Sequence, residues 1–460
     1  MNRIYALAIL FAFGTTTAFG QVVVNEFSAA NLDDFTDNYG AHEDWIELYN
    51  TSGSTADISG WFLSDNENNA DKYQFPAGTT INGGGFLRIW CDGRDEVSSG
   101  QQHAAFKLKQ TKMTEEVVLS NSDTVIVDNI PLGLTAVGQS WARSTNGSST
   151  WKICTNPTPN GSNNGSNQYD GFAEKPEVDI EPGFYSSNQT VTMTNNPANA
   201  TVRYTTNGDN VTNSSPVFPG SVSISSTTVL KLRSYSNDPD ILPSFMEFNT
   251  YFINDNYSLP VFSVAADEVV DLANGQGSLI PIGSIEYFEN EERTAISYGE
   301  LNRHGQDSWV NFQRSLDYIC RDEMGYSDAI NDTLFHHHDR DSYQRFMFRA
   351  SGDDNYPANN VPANSNNVHD GGCHVRDEYV HVLGQKAGME LDVRSVERVI
   401  LFLNGQYWGV YAIRERPDDH DYTDYVYGQG KYNLQYLETW GATQADYGGQ
   451  QAFDDWIVFR

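Results

Sequence analysis

VILFLNGQYWGVYAIRER, residues Val399–Arg416, decides how the fold is read. Val399-Ile400-Leu401-Phe402-Leu403 is an apolar, β-branched run of strand length. Asn404-Gly405 follows, the dipeptide that most readily adopts the positive φ angles of a tight hairpin turn. Tyr407 to Ile413 forms an aromatic return strand with Gly409 inside it, and such a glycine marks a bulge or a close approach by another group. Arg414, Glu415 and Arg416 close the stretch before Pro417. The expectation is a buried hairpin that delivers Glu415 to the edge of a sheet. Charges at a strand end are commonly solvated, which would make Glu415→Ala cost no more than about 1–2 kcal/mol.

Working outward, NGQYWGVYAIRER resembles the N-G-x-Y-x-G-x-Y-x-x-x-E signature of the spore-coat CotH kinase-like family. Further pieces resemble the same family in the same order: Arg303-His304-Gly305 with Ser308, Ser315–Tyr318 with Arg321–Gly325, Phe348–Asp354, and Val375–Glu378. The resemblance covers roughly 259–460 and implies an α+β atypical kinase-like domain, with ATP-dependent phosphorylation of Ser/Thr on exported proteins and a divalent metal such as Mg²⁺. By motif order the family's phosphate-contacting lysine falls at Gln313 or Arg314. Arg314 keeps the charge as a planar fork rather than a compact ammonium. Arg314 and Glu415 are therefore the expected nucleotide-binding residues, facing one cleft. The family's catalytic and metal-holding aspartates lie C-terminal to the hairpin, beyond Arg460. The domain is accordingly expected to be truncated and inactive in phosphotransfer, with no catalytic or metal-binding residue assigned. No Walker loop or G-x-G-x-x-G occurs in this region.

Upstream, 21–155 is turn-rich with short strands, the pattern of a β-sandwich. VNEF, DWIELYN, ISGWFLSD and FPAGTTI resemble the lamin-tail domain, an immunoglobulin-like sandwich. DWIELYN (Asp44–Asn50) reads as a half-buried strand with in/out alternation. The Asp residues here form no D-x-[DN]-x-[DN]-G calcium loop, so solvated turns are expected. The Asn/Gly/Ser/Pro-rich 156–174 reads as a linker, and Asn156–Asn167 as the first site of proteolysis. Residues 175–254 form a second β module. Its Arg203-Tyr204-Thr205-Thr206-Asn207-Gly208 resembles the chitobiase/β-hexosaminidase C-terminal type, an accessory with spacer or glycan-binding roles. The fold class expected is thus multidomain: two immunoglobulin-like sandwich modules followed by the α+β kinase-like region, with helical patches at 265–272 and 378–387.

Residues 1–20 have the make-up of a signal peptide, with a basic Asn2-Arg3 start, an apolar Ile4–Phe13 and cleavage after Ala18-Phe19-Gly20. This implies a secreted or cell-surface protein, and no stretch is apolar enough to span a membrane. The chain holds 28 Lys and Arg against 61 Asp and Glu, a net charge of −33, which argues against nucleic acid as partner. Export permits disulfides. Four cysteines allow three pairings, and the domain map favours Cys91–Cys154 and Cys320–Cys373. His336-His337-His338-Asp339-Arg340-Asp341 reads as an exposed loop. His369, Asp370, His374 and Asp377 read as a metal cluster or a disulfide-tethered loop around Cys373. Asp418, Asp419, Asp421 and Asp424 read as a solvated acidic run. Three functions stay open: an exported kinase acting on a protein substrate, a non-catalytic surface or matrix binding protein, and a glycan-associated adhesin.

Overall fold

The structure, a computed structural model, describes residues 21–112, 114–195, 197–305, 309, 311–354 and 373–460. Residues 1–20, and with them the expected signal peptide, lie outside it.

The N-terminal region is a sandwich. One sheet runs Gln168–Tyr169, Trp151–Cys154, Ser140–Arg143, Val22–Ser28, Asp44–Asn50, Phe86–Cys91, Gln101–His103 and Glu96–Ser98. The facing sheet is built from Ile126–Pro131, Glu116–Ser120, Phe62–Ser64 and Tyr73–Gln74. Val24, Phe27, Ile46, Leu48, Leu63, Phe75 and Ile89 fill the core between them. Asp44–Asn50 does not alternate between buried and exposed as the sequence predicts, because both of its faces are covered.

The outer cover is the stretch expected to be a linker. Residues 156–174 contribute the edge strand Gln168–Tyr169, and Asn163 is fully buried. The Asn163 amide donates to the carbonyls of Asn25 (3.2 Å) and Arg143 (2.8 Å). Thr158 donates through its N–H (2.9 Å) and hydroxyl (2.7 Å) to the Glu26 carboxylate, and the Asn160 N–H donates to Glu47. Polar side chains that read as solvated thus satisfy buried carboxylates instead.

The second module and the C-terminal region share one sheet, joined across the boundary expected at 254–259 by the register pair Gly183–Glu292. Its order is Ala200–Thr205, Thr228–Ser236, Glu247–Ile253, Gly183–Tyr185, Glu292–His304, Ile282–Glu289, Val261–Ala266, Val396–Leu403, Gln406–Arg414, Arg345–Arg349 and Ser315–Cys320. The joint is reinforced by buried Lys231, whose ammonium donates to Ala265 O (2.8 Å) and Asn210 Oδ1 (2.9 Å). The small sheet of Gln189–Thr192 and Ser221–Ile224 closes the second module over its own core.

The hairpin forms as its sequence dictates. Asn404 (φ 50°) and Gly405 (φ 75°) make the turn, and the register slips between Leu401 and Phe402, opposite Gly409. Gly409 is also a close approach: its φ is 133°, and a Cβ there would lie 2.9 Å from the Gln313 side-chain amide. Four helices stand among the described residues: α1 (Val269–Ala273), α2 (Arg376–Lys386), α3 (His420–Tyr427) and α4 (Gly449–Phe459). The first two fall near the expected patches, although Ala265 and Ala266 belong to a strand.

The four cysteines are unpaired, against expectation. Cys91 and Cys154 lie in one sheet on strands separated by three others, about 19 Å at the usual strand spacing, far beyond the reach of a disulfide. Cys320 ends its strand buried against the Tyr343 carbonyl. Cys373 lies beside Asp354, near the opposite end of that strand, where Ser315 binds the Ala350 N–H. Sharing a domain did not bring either pair together.

Candidate functional site

Side chains alternate across a strand, so the C-terminal half of the long sheet has two unlike faces. Leu316, Tyr318, Phe346, Phe348, Tyr411 and Ile413 point to a dry core capped by α1 and the 321–343 loop. The residues between them, Asp317, Arg345, Arg349, Arg398 and Arg414, point the other way. This ionic face is closed by α2 and by the turn leading into α3. Arg414, fully buried, reaches Asp377 (2.6 Å) and Glu378 (3.0 Å) on α2, and Arg398 reaches Glu378 (3.2 Å).

A second cluster lies beside it. Asp317, 2% exposed, accepts from Arg345 Nε (2.9 Å) and Arg416 Nη1 (3.0 Å). Arg345 Nη1 reaches Asp419 (2.7 Å), and Arg416 forks onto both oxygens of Asp418 (2.9 and 2.8 Å). Burial works against ionisation of Asp418 and Asp419, but hydrogen bonds and the Arg416 and Arg345 charges hold both below the usual carboxylate range. At the rim, burial and the nearby charges of Arg416, Arg349 and Arg394 push the His304 imidazole down to about 3, so it is neutral at physiological pH. The acidic run expected to be solvated is therefore largely paired with arginine, and only Asp424 is exposed.

Glu415 is also not solvated. It is 3% exposed and turns toward the 321–343 loop, where Arg340 Nη1 stands 3.0 Å and His338 Nε2 3.4 Å from its carboxylate. The other arm of Arg340 holds Asp421 Oδ2 at 2.6 Å. Burial disfavours the Glu415 anion, yet hydrogen bonds from His338 and Ser395 and the His338 and Arg340 charges lower its pKa. Arg314 is elsewhere. Its guanidinium donates to the carbonyls of Trp309 (2.8 Å) and Ala273 (3.2 Å), beside α1. Leu316 and Ile413 both align with Phe348, which sets Arg314 level with Tyr411. Four positions then separate it from Glu415, about 13 Å along the strands, and the two side chains bond different parts of the domain.

His336 is exposed beside Glu289, while His337 and His338 turn in to Ser395. The His-rich loop is largely exposed as expected, with His336, His337, Asp339 and Asp341 outside, while Arg340 within it is buried. No periodicity marks that residue, and its partner Glu415 lies 75 positions away. His374 bonds the Ala350 carbonyl (3.0 Å), while Asp377 is committed to arginine. His369, Asp370 and Ser308 lie outside the described residues. A cleft of about 510 Å³ opens between the sandwich and the C-terminal region, lined by Arg94, Lys107, Lys109, Lys431, Asp328 and Asp424 among others.

Residues 15–133 match the family model of the Lamin Tail Domain, and residues 180–238 that of the Chitobiase/beta-hexosaminidase C-terminal domain. These matches agree with a β-rich, multidomain chain containing immunoglobulin-like folding units, and they leave 239–460 unassigned. No curated protein matches the chain. No helix among the described residues is long and apolar enough to cross a membrane.

Proposed function

We propose that this chain acts outside the cell as a non-catalytic binding protein. In this reading the two β modules and the C-terminal region form one scaffold around the cleft at their junction. One observation carries it: the Glu415 carboxylate, expected to work with a nucleotide-binding cation, is sealed in a buried pair with Arg340, whose second arm is itself taken by Asp421. A cation held on both arms and 3% exposed is closed to phosphate. The cleft suits a polar, sugar- or peptide-sized ligand. Its volume is in the range of small-ligand sites, and it sets Arg94, Lys107, Lys109 and Lys431 among Asp92, Asp328, Asp421 and Asp424, a lining of both signs.

The test pairs two assays on the purified protein. Incubation with labelled ATP and Mg²⁺ or Mn²⁺ is expected to transfer no label to itself or to added exported proteins. Retention on immobilised surface and matrix glycans is expected to fall at least tenfold in the Lys107→Ala/Lys431→Ala variant. Transfer of label, or retention untouched by that variant, would overturn the reading.

Phosphoryl transfer keeps a second reading on one feature. Asp418 and Asp419, held ionised beside Arg416 and Arg345, supply the carboxylates and cations that a Mg²⁺–ATP site needs. Saturable Mg²⁺–ATP binding lost in Asp418→Asn would favour it.

A further inference from the structure

Three buried residues of the sandwich, none of them marked by a sequence motif, meet at one edge of its larger sheet. Asp37, in the loop after the first strand, Asp92, just past Phe86–Cys91, and His103, ending Gln101–His103, each present one ligand atom, and these atoms lie within 4.8 Å of one another. Asp92 and His103 are fully buried and Asp37 is 6% exposed.

The hydrogen bonds around them point to an ion. Asp37 Oδ1 accepts from the N–H groups of Tyr39 (2.8 Å) and Ala41 (2.9 Å), but Oδ2 is buried with no partner. His103 Nε2 faces Asn38 Oδ1 at 2.8 Å, and Asn38 spends its amide N–H on Ser98 Oγ (3.2 Å). Nε2 therefore donates, and Nδ1 faces Asp92 Oδ2 at 2.7 Å. With a proton on Nδ1 this contact is a hydrogen bond, and a metal ion binding there takes that proton's place on Nδ1. Asp92 Oδ2 also takes Arg94 Nε (3.1 Å), and Oδ1 takes the Arg94 N–H (3.1 Å), so Asp92 is satisfied where Asp37 Oδ2 is not. An N–H donated to an amide oxygen, with the other nitrogen turned to a ligand, is the usual posture of a metal-bound histidine.

We propose that Asp37, Asp92 and His103 bind a divalent first-row metal ion, Zn²⁺ or Mn²⁺, through two carboxylate oxygens and Nδ1. The nitrogen ligand disfavours Ca²⁺ and Mg²⁺, which take oxygen. The ion pins the loop carrying Asp37 to the sheet edge. That loop also holds Tyr39, against which Arg94 stacks (3.8 Å), and the opposite side of Arg94 stacks on Tyr432 (4.0 Å) from the C-terminal region. The site therefore steadies the seat of one region on the other, independently of what the junction cleft binds.

Asp37→Asn is the informative variant, because it keeps the Oδ1 acceptor of the loop and alters only the orphaned oxygen. Chelator-treated protein is titrated with Zn²⁺, Mn²⁺, Ca²⁺ and Mg²⁺ by calorimetry, with metal counted after desalting and Tm followed. The expected result is one Zn²⁺ or Mn²⁺ per chain and a raised Tm in the unaltered protein. Affinity should fall at least a hundredfold in Asp37→Asn and His103→Gln, while metal-free Asp37→Asn keeps its Tm. Absence of binding, meaning that a proton rather than a metal joins His103 to Asp92, would overturn the proposal. So would binding unchanged in Asp37→Asn, which would place the ion elsewhere, or Ca²⁺ binding as tight as Zn²⁺.

Discussion

The two faces of the hairpin end of the long sheet are built from adjacent residues, yet their stability has different origins. On one face Phe346, Phe348, Tyr411 and Ile413 are buried by the hydrophobic effect, each contact replaceable by another of similar size. On the other, Asp317, Arg345, Arg414 and Arg416 are held only because each charge meets its opposite. A buried ion pair is weak support for a fold as a whole, but removing one partner strands the other without water. The comparison teaches that charge at the end of a strand signals a catalytic cleft only where the charge is left available. Glu415 lies at such an end and is spoken for.

The largest effect expected on this comparison is at Arg414, 0% exposed between Asp377 and Glu378. Arg414→Ala should cost about 3–5 kcal/mol, measured by chemical denaturation, since it removes a fully buried cation from buried Glu378 and leaves that carboxylate with Arg398 alone. The neighbouring dry-face change Ile413→Val should cost only about 0.5–1.5 kcal/mol. If the two costs were equal, the contrast between the faces would be lost. The cross-region pair Lys109–Asp328, 51% and 25% exposed, should matter least: Lys109→Ala is expected to cost under about 1 kcal/mol and less still in high salt.

A pH experiment sharpens the same contrast in the sandwich, where a carboxyl is buried beside a second one, Glu26, rather than in a salt bridge. Burial lifts Glu47 to about 8 from its ordinary 4.5. The folded state therefore binds a proton that the unfolded state has released across that window, and stability falls as pH rises from about 4.5 to 8. Limited proteolysis within Asn156–Asn167, the segment that covers Glu47, should be slow at pH 6 and faster at pH 9.

How much of this was legible follows from what sequence can encode. The hairpin was readable because turn chemistry and apolar runs are local: Asn404-Gly405 and Gly409 behave as their residue types require. The sandwich was readable from the same kind of signal. The ion pairs were not, because Arg345 meets Asp419 from 74 positions away and Arg416 meets Asp317 from 99. The covering role of 156–174 was hidden because its asparagines and threonines read as solvated, while their partners, Glu26 and Glu47, lie more than a hundred positions upstream. The cysteine pairing failed for want of strand order, which places three strands between Cys91 and Cys154.

The measurement that bears most directly on the closed state of Glu415 is a double-variant cycle with Arg340, read as unfolding free energy. The account predicts that Glu415→Leu and Arg340→Met each cost about 3–5 kcal/mol, and that the double variant recovers much of the loss because no unpaired charge remains between those two positions. Costs that simply add, with Glu415→Leu alone near zero, would contradict it and return Glu415 to the solvent or to a ligand.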